Sequence, residues 1–129
     1  MSAMYPAGVE AILDGTVKLS DDALRAILTT PAYTYSPEHR VALDVPPATW
    51  LSVSGIVGGV TVTGGVVEGG SVTFHAPIDG QLGNAIVIYD ALAERLIAYI
   101  DEAHGLPVRT NGADIHCVWD AGGIFAVAS

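Results

Sequence analysis

His116 and Cys117 are adjacent and carry the strongest metal-ligand chemistry in this sequence. On a strand, neighbouring side chains point to opposite faces, so the two would not share one ion. There is no Cys-x-x-Cys and no His-Glu-x-x-His, and His39, His75 and His104 stand apart at loop positions or element ends. The expectation is therefore no metal and no cofactor. Three glycine pairs, Gly58-Gly59, Gly64-Gly65 and Gly69-Gly70, raise the question of a phosphate cradle, but no Gly-Lys-Ser/Thr follows them. No Lys or Arg lies between Val41 and Ala93 to neutralise a phosphate. The pairs read instead as turns between short β-branched strands. Asp21-Asp22 and Asp101-Glu102 are the paired carboxylates, and sequence neighbours of this kind serve more often as solvated turns or caps than as an acid/base dyad. There is no Gly-x-Ser-x-Gly elbow. Cys117, the single cysteine, reads as a small core residue on an inward face, so no enzyme is expected.

The aromatic residues Trp50, Phe74, Tyr89, Tyr99, Trp119 and Phe125 are spread along the chain as core anchors would be. Tyr33 and Tyr35, flanked by Pro31 and Pro37, read as an exposed contact instead. The expected contact residues are Met4 and Tyr5 in an N-terminal arm and Tyr33, Tyr35 and His39 in the loop. A host-surface or carbohydrate-binding module would draw on Tyr33, Tyr35 and Trp50.

These residues need elements to hold them. Pro6 suits a first helical turn, Gly15 suits a stop, and Val9, Ile12 and Leu13 form one stripe, so a short helix is expected over 6–13. Residues 23–29 fit a helix or a strand. Four prolines, Pro31, Pro37, Pro46 and Pro47, make 30–49 a long ordered loop rather than a central strand. Residues 84–90 form a continuous β-branched run, as in a strand buried on both faces. Residues 92–104 have helix propensity and a Gly105/Pro107 stop, yet Leu96 to Ile100 also fits a strand pairing back on Ile86 to Tyr89 across a turn near 91–94. Alternation at Ile115, Cys117 and Trp119 and again over 124–128 reads as a closing hairpin.

The length, 129 residues, is that of one domain, here an N-terminal arm or helix over 1–20 and a β-sandwich over 22–128. Apolar residues make up 50% of the chain, which favours a packed core over disorder. Every apolar run is too interrupted for a membrane helix, so a soluble protein without a membrane partner is expected. The net charge of −9 repels phosphate backbones, which argues against nucleic acid as a partner. Residues 1–10 carry no basic residue and no signal-like apolar core, so synthesis in the cytoplasm is expected.

The run from Ala26 to Arg40, Asp44-Val45 and Gly58-Gly-Val-Thr-Val-Thr-Gly64 resembles small structural proteins encoded among the virion genes of tailed bacteriophages and prophages. The resemblance continues in Ala85-Ile-Val-Ile-Tyr-Asp90, Leu96-Ile-Ala-Tyr-Ile-Asp101 and Val118-Trp-Asp-Ala-Gly-Gly-Ile-Phe125, and covers most of 24–128. It implies a mainly β fold, an antiparallel β-sandwich or barrel of short strands, in which Leu24 to Leu28 and Leu96 to Ile100 are strands. Relatives of this kind carry more residues around 73–83, which leaves the pairing of the flanking strands open. The resemblance brings no catalytic residues with it. The function it implies is a capsid decoration, or cement, protein on the outer head surface. A tail, neck or fibre component is the alternative, and the host-surface module the other. The implied partners are the major capsid protein or other virion subunits, together with copies of this chain, of which a trimer suits a capsid three-fold.

Overall fold

The structure, a computed structural model, describes residues 2–15, 24–54, 61–63, 66–69, 72–74, 80–91, 94–100, 108–110, 113–117 and 125–126. Its organising element is a five-stranded antiparallel sheet. The strands are β1 (Ser2–Met4), β2 (Leu24–Thr29), β3 (Trp50–Val53), β8 (Ala85–Asp90) and β9 (Arg95–Ile100), in the order β1-β9-β8-β2-β3. Central β8 pairs with β2 from Ala85 opposite Thr29 to Asp90 opposite Leu24.

Side chains alternate across a strand, so a sheet covered on both faces needs apolar residues at successive positions. That is what residues 26–28, 85–89 and 96–100 supply. One face carries Leu24, Ala26, Leu28, Ile86, Ile88, Ile97 and Ile100. The other carries Ile27, Ala85, Val87, Leu96 and Tyr99. The same argument decides residues 95–100, where helix propensity and strand pattern compete. Leu96 to Ile100 are five consecutive buried side chains. A helix would turn some of them away from its single buried stripe, whereas a strand between two covered faces buries them all.

The first face packs against short antiparallel ladders that form the second layer. These are β4 (Thr61–Thr63), β5 (Val66–Glu68) and β12 (Phe125–Ala126) in one, β6 (Val72–Phe74) with β11 (Ile115–Cys117), and β7 (Leu82–Gly83) with β10 (Val108–Arg109). Val67, Phe74 and Ile115 reach from this layer into the core of the first face. The fold is mainly β, antiparallel, with short strands and one short helix, as expected. Strands β4 and β5 pair with Thr63 opposite Val66, leaving Gly64-Gly65 between them. Gly69-Gly70 likewise lies between two short strands, β5 and β6, but these belong to different ladders, β5 pairing with β4 and β6 with β11. Of the expected closing hairpin, residues 118–124 lie outside the described residues; among the described ones, β11 pairs with β6 and β12 with β5. Gly58-Gly59 lies outside the described residues.

Helix α1 (Pro6–Leu13) starts and stops where expected. Gly15 has φ +86°, the left-handed conformation that a residue without Cβ adopts at a helix end. The turn from β8 to β9 is held by Glu94 at φ 58°, a position that no glycine or asparagine signals in the sequence. The N-terminal arm is more than a helix. Its first residues form β1, with Ser2 opposite Ile100 and Met4 opposite Ala98.

Candidate functional site

The five expected contact residues converge, but on one another. Between β8 and β9 the register shifts, with Ile88 opposite Ala98 and Tyr89 opposite Leu96, so Ile97 is the extra residue of a bulge. At the bulge β1 ends and the Tyr5 backbone N–H donates to the Ile97 carbonyl at 3.0 Å. One residue nearer the turn, the Leu96 N–H donates to the Arg40 carbonyl at 2.9 Å, and Val41 bridges to Arg95. The arm and the proline-rich loop therefore meet end to end along the outer edge of β9 and close it. Between them, the loop crosses the second face of the sheet and covers it with Tyr33, Tyr35 and Val45, beside Trp50 at the start of β3.

Where arm and loop meet, the aromatic side chains form one cluster. The hydroxyls of Tyr5 and Tyr33 share a hydrogen bond at 2.5 Å, and the Tyr33 hydroxyl lies 2.9 Å from His39 Nδ1. The Tyr35 hydroxyl donates to the Met4 carbonyl at 2.7 Å. Ring centroids are 4.9 Å apart for Tyr5 and Tyr35, 5.8 Å for Tyr35 and Tyr99, and 6.0 Å for Tyr33 and Tyr99. The His39 ring stacks on Tyr33 at 5.6 Å.

This geometry corrects the reading of Tyr5 and Tyr33 as exposed contacts. Tyr5 is 0% and Tyr33 4% exposed. Each phenol has a hydroxyl partner and an aromatic wall, which makes the interior more favourable than solvent. Met4, Tyr35 and His39 are half-buried. An aromatic platform for a sugar would need free ring faces. Tyr33 is buried, Tyr35 packs on Tyr5 and Tyr99, and the half-buried Trp50 donates its indole N–H to the Val45 carbonyl at 2.9 Å. The member that sequence reasoning missed as part of the cluster is Tyr99. Its place opposite Tyr33 and Tyr35 depends on the bulge at Ile97, which no residue pattern marks.

Burial pushes the Tyr5 phenol far up, reinforced by its hydrogen bond to Tyr33. Burial also raises Tyr33, Tyr35 and Tyr89. These groups stay neutral in the folded state at pH values where an unfolded tyrosine, with its ordinary value of about 10, ionises. Their contribution to stability is complete below pH ~10 and is lost as pH climbs above it. Alkaline titration should therefore show phenolate absorbance appearing together with loss of structure. Independent, gradual ionisation of every tyrosine in a folded protein would contradict this burial.

The outer surface of the loop differs from its underside. Asp44 Oδ2 accepts the backbone N–H groups of Arg40 at 2.8 Å and Val41 at 3.1 Å, and these bonds hold its carboxyl below the usual range. Thr49 Oγ1 donates to the Pro46 carbonyl at 2.7 Å, and Val45, at 0% exposure, anchors the segment inward. Pinned in this way, the loop presents Leu43, 71% exposed, and the exposed Pro46, Pro47 and Ala48 to solvent. Sequence reasoning did not single out Leu43, because a lone leucine in a loop carries no signal of which way it faces.

Among the described residues no group of three or more His, Cys, Asp and Glu side chains is placed to hold a metal, and no helix is long and apolar enough to cross a membrane. His75, His104, Asp21-Asp22, Asp101-Glu102 and Trp119 lie outside the described residues. His116 and Cys117 are placed in β11, in register with Thr73 and Val72. No known protein family, curated protein or solved structure matches the chain.

Proposed function

We propose that this chain is a non-enzymatic virion structural protein of a tailed phage or prophage, a decoration protein bound to the outer surface of the head. One observation carries the reading: the apolar tip of the proline-rich loop, Leu43 with Pro46, Pro47 and Ala48, is exposed on a segment whose backbone is already pinned. Ordering a loop on binding costs free energy, and a loop fixed beforehand avoids most of that cost. Exposed apolar side chains on a rigid support suit a protein partner, here the major capsid protein. The resemblance to virion proteins supplies the class. A net charge of −9 favours the outside of a shell over the genome-filled interior. Repeated lattice sites would multiply a weak single contact by avidity, and a homo-oligomer such as a trimer would use a capsid three-fold in this way.

The test is quantitative mass spectrometry of purified particles. Copies of this chain should stand to copies of the major capsid protein in a ratio near one or in a simple fraction set by the lattice. A copy number matching one ring would move the protein to the tail or neck, and absence from particles would remove the virion reading altogether. Leu43→Glu should lower occupancy about tenfold, equivalent to about 1.4 kcal/mol of contact. Because the side chain is exposed, folding stability should change by no more than about 0.5 kcal/mol. Full occupancy by this variant would show that the loop tip is not the contact.

A further inference from the structure

We propose that His39 is a protonation-sensitive latch that holds the N-terminal arm, residues 2–13, on the edge of β9. The argument is a count of protons along a chain of three groups joined by two hydrogen bonds, Tyr5 hydroxyl to Tyr33 hydroxyl to His39 Nδ1. With a neutral imidazole accepting at Nδ1, Tyr33 donates to His39 and Tyr5 donates to Tyr33. Two protons fill two bonds. When the imidazole gains its second proton, Nδ1 becomes a donor, and three protons compete for the same two bonds.

One buried hydroxyl proton must then lose its acceptor on this chain, and both phenols are buried, at 0% and 4% exposure. Donors left unpaired in a protein interior are costly, and the molecule relieves that cost by opening the contact. The arm is the side that gives way. Tyr33 belongs to a loop fixed at both ends, by Thr30 N–H to the Thr49 carbonyl and by the Arg40 carbonyl to Leu96 N–H. Tyr5, by contrast, sits between a three-residue strand and an eight-residue helix.

Among the described residues, the loop, the arm and β9 each contribute to the surroundings of the imidazole. Tyr33 stacks on it, Asp44 and Arg40 are the charged neighbours from the loop, and Tyr5 of the arm and Tyr99 of β9 stand behind Tyr33. Among them the imidazole is the group whose Nδ1 can change from acceptor to donor by taking up a second ring proton. Opening of the arm would uncover the edge of β9, a row of backbone donors and acceptors able to pair with another strand.

The experiment is amide hydrogen exchange on the full chain at about pH 8 and about pH 5, corrected for intrinsic rates, with β2 and β8 amides as the internal reference. In the wild-type protein, protection of the Tyr5 amide should fall about tenfold relative to that reference on acidification, the size expected when one buried donor loses its partner. His39→Gln, which keeps a side-chain acceptor without a titrating proton, should abolish the difference. Tyr33→Phe, which breaks the chain in the middle, should leave arm protection low and the same at both pH values. Wild-type protection that is unchanged on acidification would overturn the latch. So would an acid effect that persists in either variant.

Discussion

Tyr5→Ala should destabilise the fold by about 3–5 kcal/mol, the range for removing a fully buried large aromatic side chain. The ring is 0% exposed and lies between Tyr35 and the Tyr33 hydroxyl, with its own backbone N–H tied to the bulge of β9. Tyr5→Phe should cost only about 1–2 kcal/mol, because it keeps the ring and removes one hydrogen bond. Denaturant titration of the three proteins separates these contributions. Equal losses for the two variants would mean that the ring is not seated as described. In Tyr5→Ala the arm amides should exchange faster than those of β2 and β8, because the cavity lies under the arm and not under the centre of the sheet.

Gly8→Ala should cost about 2–3 kcal/mol, as overpacking does in a close-packed interior. An exposed helix interior predicts the opposite, a gain of about 1 kcal/mol from better helix propensity. The sign reverses because a Cβ at Gly8 would stand 2.3 Å from the Leu96 carbonyl oxygen and 2.9 Å from Ile97 Cα. Both are backbone atoms of β9 and cannot rotate away, so the helix itself must lift from the strand. Glu10→Ala, at an exposed position of the same helix, serves as the control and should change stability by no more than about 0.5 kcal/mol. A stabilised Gly8→Ala protein would show that α1 does not cross β9 in van der Waals contact.

Both predictions concern the place where the arm meets β9, and neither was legible in the sequence. The sequence places Gly8 inside the expected helix and Tyr5 in the N-terminal arm, and signals the burial of neither. Their burial follows from the bulge at Ile97, which lets the helix approach the strand and brings Tyr99 under Tyr33 and Tyr35. Bulges arise from register between distant segments, so a single strand's pattern does not show them. Flanking prolines single out Tyr33 and Tyr35 and the N-terminal arm singles out Met4 and Tyr5; these signals mark the neighbourhood but not the inward orientation of Tyr5 and Tyr33.

By itself the sequence determined the elements whose signals are local. Pro6 and Gly15 bound the helix, the prolines of 30–49 exclude a central strand, and the β-branched run of 84–90 demands a strand covered on two faces. These follow from backbone dihedrals and side-chain alternation, which act over a few residues. Only the tertiary structure decided that residues 95–100, where propensity and pattern compete, are a strand, that β11 finds β6 and β12 finds β5, and that the loop folds back to cover the sheet. Each of these depends on what lies opposite in space. The free energy of burying Leu96 to Ile100 on two faces exceeds the small propensity differences that favour a helix, and it is available only once distant segments have come together.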